Sequence, residues 1–332
     1  MNSRERFAAS LRFQQPDRIP FYDEEIREET LARWYKQGLP KGRDPRELFR
    51  LEKWDIVPVN LEMIPEFQGR FRSRKDFERL KKSFNPDDTS RYPTNWENLV
   101  GRWKDRDHPL GISVWEGFFQ PFNSGSVPDT VYHSLTDIVR MIYSNPELLV
   151  ETANFIAEFV IRTMSKTLDE VKIDYAIIWE PIAENKGPAI SPPSFQDLVI
   201  PCYKRIIETL NSHGIDIIIL STFGNVKELI PLCLDVGINV LWCRGTKPAG
   251  VDYVALRKKY GKKLALIGGI DIECLTEDKE AIKAEIYSKV PPLLSSGGYI
   301  PMLDGRVREN IPFKNYAYYR RLIEEIACKK ME

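Results

Sequence analysis

Histidine is scarce in this chain: only His108, His133 and His213 occur among 332 residues. A site assembled from several imidazoles therefore has little to draw on. The five cysteines, Cys202, Cys233, Cys243, Cys274 and Cys328, are odd in number and form no Cys-x-x-Cys pair. That argues against a disulfide framework and fits a reducing, cytoplasmic setting. Net charge is also missing, since 48 basic and 48 acidic side chains cancel; no field favours nucleic acid or an anionic membrane surface. No run approaches the ~20 apolar residues of a membrane span. The opening Met1-Asn-Ser-Arg-Glu-Arg6 is polar where a secretory leader needs an apolar core, so the chain is expected to be neither exported nor embedded. There is no glycine-rich phosphate loop, and no Pro/Gly/Ser linker divides the sequence. Residues 1–332 accordingly read as one domain.

What is present is organised around Tyr175 to Gly224. Tyr175-Ala-Ile-Ile-Trp179 and Ile215-Asp-Ile-Ile-Ile-Leu220 are short β-branched and aromatic runs that stop at Glu180-Pro181 and Ser221-Thr-Phe-Gly224. Between them Ser191-Pro-Pro-Ser194 opens an amphipathic helix with Leu198, Val199, Tyr203, Ile206, Ile207 and Leu210 at three- and four-residue steps. Strand, helix and strand make a βαβ unit, whose chemistry belongs on the loops after the strands. Strand starts at Ile19, Asp55, Gly111, Tyr175, Ile215, Asn239, Lys263 and Tyr299 alternate with helical patterns. The expectation is an α/β chain folded as a (β/α)8 TIM barrel with N-terminal and loop additions. The polar stretch 65–110 shows a helical pattern only around Lys75 to Lys82 and reads as excursions over one end.

Residues at the strand ends are the candidates for chemistry. Glu180 follows a strongly apolar strand, where a carboxylate calls for a partner, a metal or a substrate; an ion pair with Lys186 or Arg244 is the structural alternative. Cys243 ends another strand, as a thiolate ligand or as a small buried apolar group. Asp304 and Arg306 follow the last strand as catalytic candidates, and Asp271 is either a helix cap or a site residue. Trp115, Trp179 and Phe223, with Phe118 and Phe119, would give an aromatic mouth, joined by Ser221 and Arg244 as substrate-binding groups. Glu180 and Cys243 are the candidate metal ligands.

Arg4-Glu-Arg6 with Pro16-Asp-Arg-Ile-Pro20, Lys186-Gly-Pro-Ala-Ile-Ser-Pro192 leading into Pro201-Cys-Tyr-Lys204, Tyr260-Gly261 before Ile267-Gly-Gly-Ile-Asp271, and Gly297-Gly-Tyr-Ile-Pro301 before Asp304 occur in that order. Together they resemble the uroporphyrinogen decarboxylase and cobalamin-dependent methyltransferase superfamily of β/α barrels. The resemblance departs at three places. Where uroporphyrinogen decarboxylases carry an Arg-Gln-Ala-Gly-Arg phrase that engages the porphyrinogen carboxylates, this chain has Asp23-Glu-Glu-Ile-Arg-Glu28. Where thiol-directed methyltransferases place a zinc-binding His-x-Cys pair and a later Cys, it has Ser221-Thr-Phe223 and Met302-Leu303. Where relatives show Asp-His-x-Val, it reads Asp304-Gly-Arg-Val307.

The resemblance implies an enzyme that moves a methyl group between a small-molecule substrate and a separate corrinoid protein, with zinc lacking its usual triad. A homodimer is compatible with it. Two alternatives stand beside this: a decarboxylase of a small acid, with Arg306 or Arg244 holding the carboxylate and Asp304 protonating the carbanion, and a non-catalytic barrel subunit of a methyltransferase complex.

Overall fold

The computed structural model describes residues 1–24, 26–64, 71–114 and 139–329. The chain forms two compact units, each built from separated segments. The first unit takes 55–106 and 110–239; the second takes 1–54, 107–109 and 240–332.

In the first unit four parallel strands pair in chain order: β1 Asp55–Ile56, β2 Leu110–Ser113, β3 Tyr175–Trp179 and β4 Ile218–Phe223. The register sets Gly111 opposite Tyr175 and Trp179 opposite Ser221. Nearly every residue of β2 to β4 is buried, as expected of strands covered on both faces. The covering helices start where side chains satisfy their first N–H groups. Asn145 caps Pro146–Glu170, and Ser191 caps Pro192–Leu198, each followed by proline at the first helical position. Ile200–Ser212 continues the second of these and buries Cys202, Tyr203, Ile206, Ile207 and Leu210. β1 is only two residues long and stops short of Pro58, which has no N–H to offer a ladder.

The stretch read as polar excursions holds more structure than its pattern suggests. Besides Arg74–Lys81 it contains Trp96–Trp103, whose two terminal tryptophans are buried. Arg91 is 1% exposed and donates to the carbonyls of Asn60, Glu62, Ser83 and Asn85, with its guanidinium 4.5 Å from the Phe159 ring. One buried cation thereby satisfies four carbonyls that have no strand or helix partner.

In the second unit three parallel strands follow in order: β5 Val240–Arg244, β6 Ala265–Gly268 and β7 Tyr299–Ile300. A further parallel bridge joins Ile270 to Leu303 beyond them. Their helices are Tyr253–Tyr260, capped by Asp252, and Lys279–Ser296, capped by Asp278. Ser3–Leu11 opens with a full capping box between Asn2 and Glu5, and Phe313–Lys329 is the last helix.

The strand expected at Ile19 to Tyr22 is not formed. Pro20 lacks a donor, and the Phe21 carbonyl accepts from the Glu52 N–H at 2.6 Å instead of joining a ladder. The described residues therefore hold seven parallel strands where the sequence pattern gives eight. No described helix is long and apolar enough to cross a membrane.

Gly111 is required by a close approach, since a Cβ there would sit 2.3 Å from the Tyr175 ring. Gly111→Ala is expected to lose about 1–3 kcal/mol by overpacking, read as a lower denaturant midpoint at unchanged m-value.

Candidate active site

In the second unit, the loops after β5, β6 and β7 are drawn together by one carboxylate. Asp304 Oδ2 accepts from both the N–H and the hydroxyl of Thr246, each at 2.7 Å, and Oδ1 accepts from the Ile272 N–H at 3.0 Å. Its backbone adds a bond from the Gly245 N–H and one to the Ile270 carbonyl. Asp304 is 3% exposed. Burial raises its pKa above the ordinary carboxylate value, against the pull of these donors.

Asp271 caps the 3-10 turn Ile272–Thr276 through the Glu273 N–H, and its other oxygen meets Lys247 Nζ at 2.8 Å. The cap and the strand-end position thus coincide in one residue.

Arg244, at the end of β5, places Nε 2.7 Å and a terminal nitrogen 2.5 Å from Glu24 Oε1, while Arg306 Nε lies 3.3 Å from Glu24 Oε2. The Arg244 guanidinium lies over the Trp242 ring at 4.7 Å. Asp23, next to Glu24, is wholly buried and accepts from Tyr316, Tyr319, Arg320 and the Leu303 N–H. Although burial works to lower it, the Arg320 pKa is held above its ordinary value by Asp23.

Cys243 is buried beside these groups. Its N–H donates to the Tyr253 hydroxyl at 2.9 Å, and that hydroxyl donates to the Ile267 carbonyl at 3.0 Å. Burial, then the Asp304 charge, pushes its thiol up to about 12.

In the first unit, Glu180 directly follows β3, and its N–H donates to the Ser221 carbonyl. Its carboxylate is 1% exposed and its Oε2 accepts a short hydrogen bond from the Tyr203 hydroxyl on Ile200–Ser212. Through that bond the carboxylate faces Ile200–Ser212. Burial, with a contribution from the Glu180 charge, pushes the Cys233 thiol up to about 12. Ser221 is buried, Trp179 half-buried and Phe223 exposed. The turn after β4 is fixed by Gly224, where a Cβ would come within 2.6 Å of the Ala183 carbonyl, and by the Asn225 N–H donating to Glu184. Trp115, Phe118 and Phe119 lie outside the described residues.

The zinc suggested by the resemblance does not fit these donors. Among the described residues no group of three or more His, Cys, Asp and Glu side chains could hold a metal ion. Ser221-Thr-Phe223 provides no thiolate or imidazole, and the Cys243 environment disfavours a thiolate.

Sequence reasoning did not find Tyr203, Thr246 or Arg320. Tyr203 fell within an apolar helical stripe, and Thr246 carried no motif signal. Glu24 was noticed for its charge alone, because its partners lie 220 and more residues away.

These features define an α/β protein whose parallel strands end in buried, hydrogen-bonded carboxylates. Residues 130–326 match the family model described as uroporphyrinogen decarboxylase (URO-D), and the chain belongs to that family. It is 25% identical over 189 residues to a uroporphyrinogen decarboxylase of Hordeum vulgare, spanning 56% of this chain and 53%, about half, of that relative's length. It is 22% identical over 270 residues to the uroporphyrinogen decarboxylase of Legionella pneumophila strain Lens, covering 79% and 71% of the two chains. Its fold is similar to that of a methyltransferase from Methanosarcina mazei, with a TM-score of 0.66 at 16% identity over 98% of this chain and 99% of that one.

Two measurements check the local chemistry. Tyr203→Phe removes a donor from a buried carboxylate and is expected to cost ~1.5–3 kcal/mol, measured by equilibrium unfolding. In the native protein at pH 8, Cys243 is expected to resist iodoacetamide while reacting fully in denaturant, as peptide mass spectrometry would read.

Proposed function

We propose that this chain is a corrinoid-dependent, methyltransferase-like enzyme of the URO-D family, transferring a methyl group between a small substrate and a separate corrinoid protein. We further propose that it works as one eight-stranded β/α barrel domain; the whole-length likeness to the Methanosarcina mazei methyltransferase supports that reading.

The observation that carries the proposal is the state of the acidic segment. Asp23 is bound to Arg320, and Glu24 is bound to Arg244 and Arg306. Where the resemblance puts substrate-binding arginines this chain carries Glu24, which already engages Arg244 and Arg306, so a multi-carboxylate porphyrinogen would have to displace that pairing to be held there. A methyl-bearing substrate without carboxylates avoids that cost.

Roles for the site residues follow from their environments. In the second unit, Asp304 can hold a proton, because burial raises its pKa, and Arg306 reaches solvent where substrate would arrive. Arg244 and Asp271 shape the same loops. In the first unit, Glu180 orients substrate from the end of β3, with Trp179, Phe223 and Ser221 as neighbouring binding groups. Methyl transfer needs an in-line approach, so positioning supplies much of the rate. A corrinoid, when brought by its carrier protein, supplies the methyl-exchanging centre.

The test is direct. Purified protein mixed with a methylated corrinoid and a panel of thiols and amines is expected to change the corrinoid absorbance and yield a methylated product. No conversion of uroporphyrinogen to coproporphyrinogen is expected; conversion by pure protein would reverse the assignment in favour of the decarboxylases. Glu180→Gln keeps an acceptor for Tyr203, so its melting temperature should stay close to the parent's. Turnover should fall by roughly 100-fold or more. Intact turnover with reduced stability would instead make Glu180 purely structural.

A further inference from the structure

We propose that Glu24 is a built-in occupant of an anion subsite formed by Arg244 and Arg306, and that it excludes ligands bearing a free carboxylate. The inference rests on the reading of the β5 and β7 ends as a ligand site and adds what that site rejects. One guanidinium from the end of β5 and one from the loop that follows β7 converge on a single carboxylate, the arrangement with which proteins bind an external acid. Here the acid comes from the chain itself, 220 residues before Arg244.

The geometry shows a filled place rather than a casual surface pair. Glu24 is 8% exposed, and its Oε1 receives two nitrogens of Arg244. Arg244 is kept in plane by the Trp242 ring beneath it. Glu24 is delivered from a rigid base, because Asp23 beside it is locked by Tyr316, Tyr319 and Arg320. The other oxygen is held differently. Oε2 is buried and makes no hydrogen bond, with Arg306 Nε 3.3 Å away and the Arg306 side chain 61% exposed. An arriving carboxylate would therefore face an acceptor where the subsite needs a donor. A ligand without a carboxylate meets no such opposition. Truncating Glu24 to alanine removes both the charge and the side chain that fills the place between the two guanidiniums.

The experiment titrates succinate into the full chain by calorimetry at constant ionic strength, comparing the parent, Glu24→Ala and Glu24→Ala/Arg244→Gln. The single variant is expected to bind succinate at least ten-fold more tightly than the parent, and the double variant to lose that gain. A gain below ten-fold in folded Glu24→Ala, or one that survives Arg244→Gln, overturns the proposal. Should Glu24→Ala fail to fold unaided, native circular dichroism restored by succinate and not by succinamide is the expected result; no such selectivity overturns it. Succinate binding needs no methyl transfer, so failure here and failure of the corrinoid assay are separate outcomes.

Discussion

The second unit depends on the burial of the Asp304 carboxylate. Parallel strands leave their carboxyl ends to loops that carry no ladder, and those loops must find hydrogen bonds elsewhere. Asp304 provides them: Thr246 after β5 and Ile272 after β6 both donate to it, while its own backbone joins the Gly245 and Ile270 strands. A buried carboxylate costs free energy, and three donors offset much of that cost. The same environment that fixes the loops raises the proton affinity of the group. The folded protein then binds that proton more tightly than the unfolded chain, so Asp304's contribution to stability falls as pH rises through the carboxylate range. Architecture and chemistry are coupled in one side chain.

The adjacent acids Asp23 and Glu24 show how neighbouring residues can take different work. Asp23 is sealed among two tyrosines and Arg320, where an unpaired charge would be prohibitive. Glu24 sits one residue on and faces two arginines of unequal exposure. The first ties the N-terminal segment to Phe313–Lys329; the second ties it to Arg244 and Arg306, the pairing on which the proposed exclusion of acids rests. The run around Ile19 and Pro20 delivers both, and its failure to join a sheet leaves it free to do so.

Much of the fold was legible because strand ends announce themselves. Trp179 gives way to Glu180, Arg244 to Gly245, and Gly268-Gly269 to Asp271, and each boundary falls within a residue or two of its expected place. Two expectations fail: Pro20 removes the strand expected around Ile19, and β4, expected to start at Ile215 and stop at Ser221, starts at Ile218 and runs on through Phe223. The site was legible only as single residues. Glu180 could be picked out by its position, but its Tyr203 partner looked like one more member of an apolar stripe. Asp271 was weighed as a cap or a site group, and the geometry gives it the cap together with Lys247. The convergence of Arg244 and Arg306 on Glu24 has no local signature at all, since pairing across such sequence distances exists only once the chain has folded.

Family membership and activity therefore rest on different residues. Backbone constraints fit the fold: Gly269 has φ +82° and lies where a Cβ would approach the Tyr253 ring at 2.5 Å, and the Tyr253 hydroxyl bridges Cys243 and Ile267. Such contacts specify a scaffold and say nothing of the ligand. On the proposed reading, ligand choice is set by charge beside these loops, where Glu24 pairs with Arg244 and Arg306. Altering that one carboxylate would then change what can bind without disturbing the glycines and tyrosines that hold the loops, which is how one scaffold can serve relatives with different substrates.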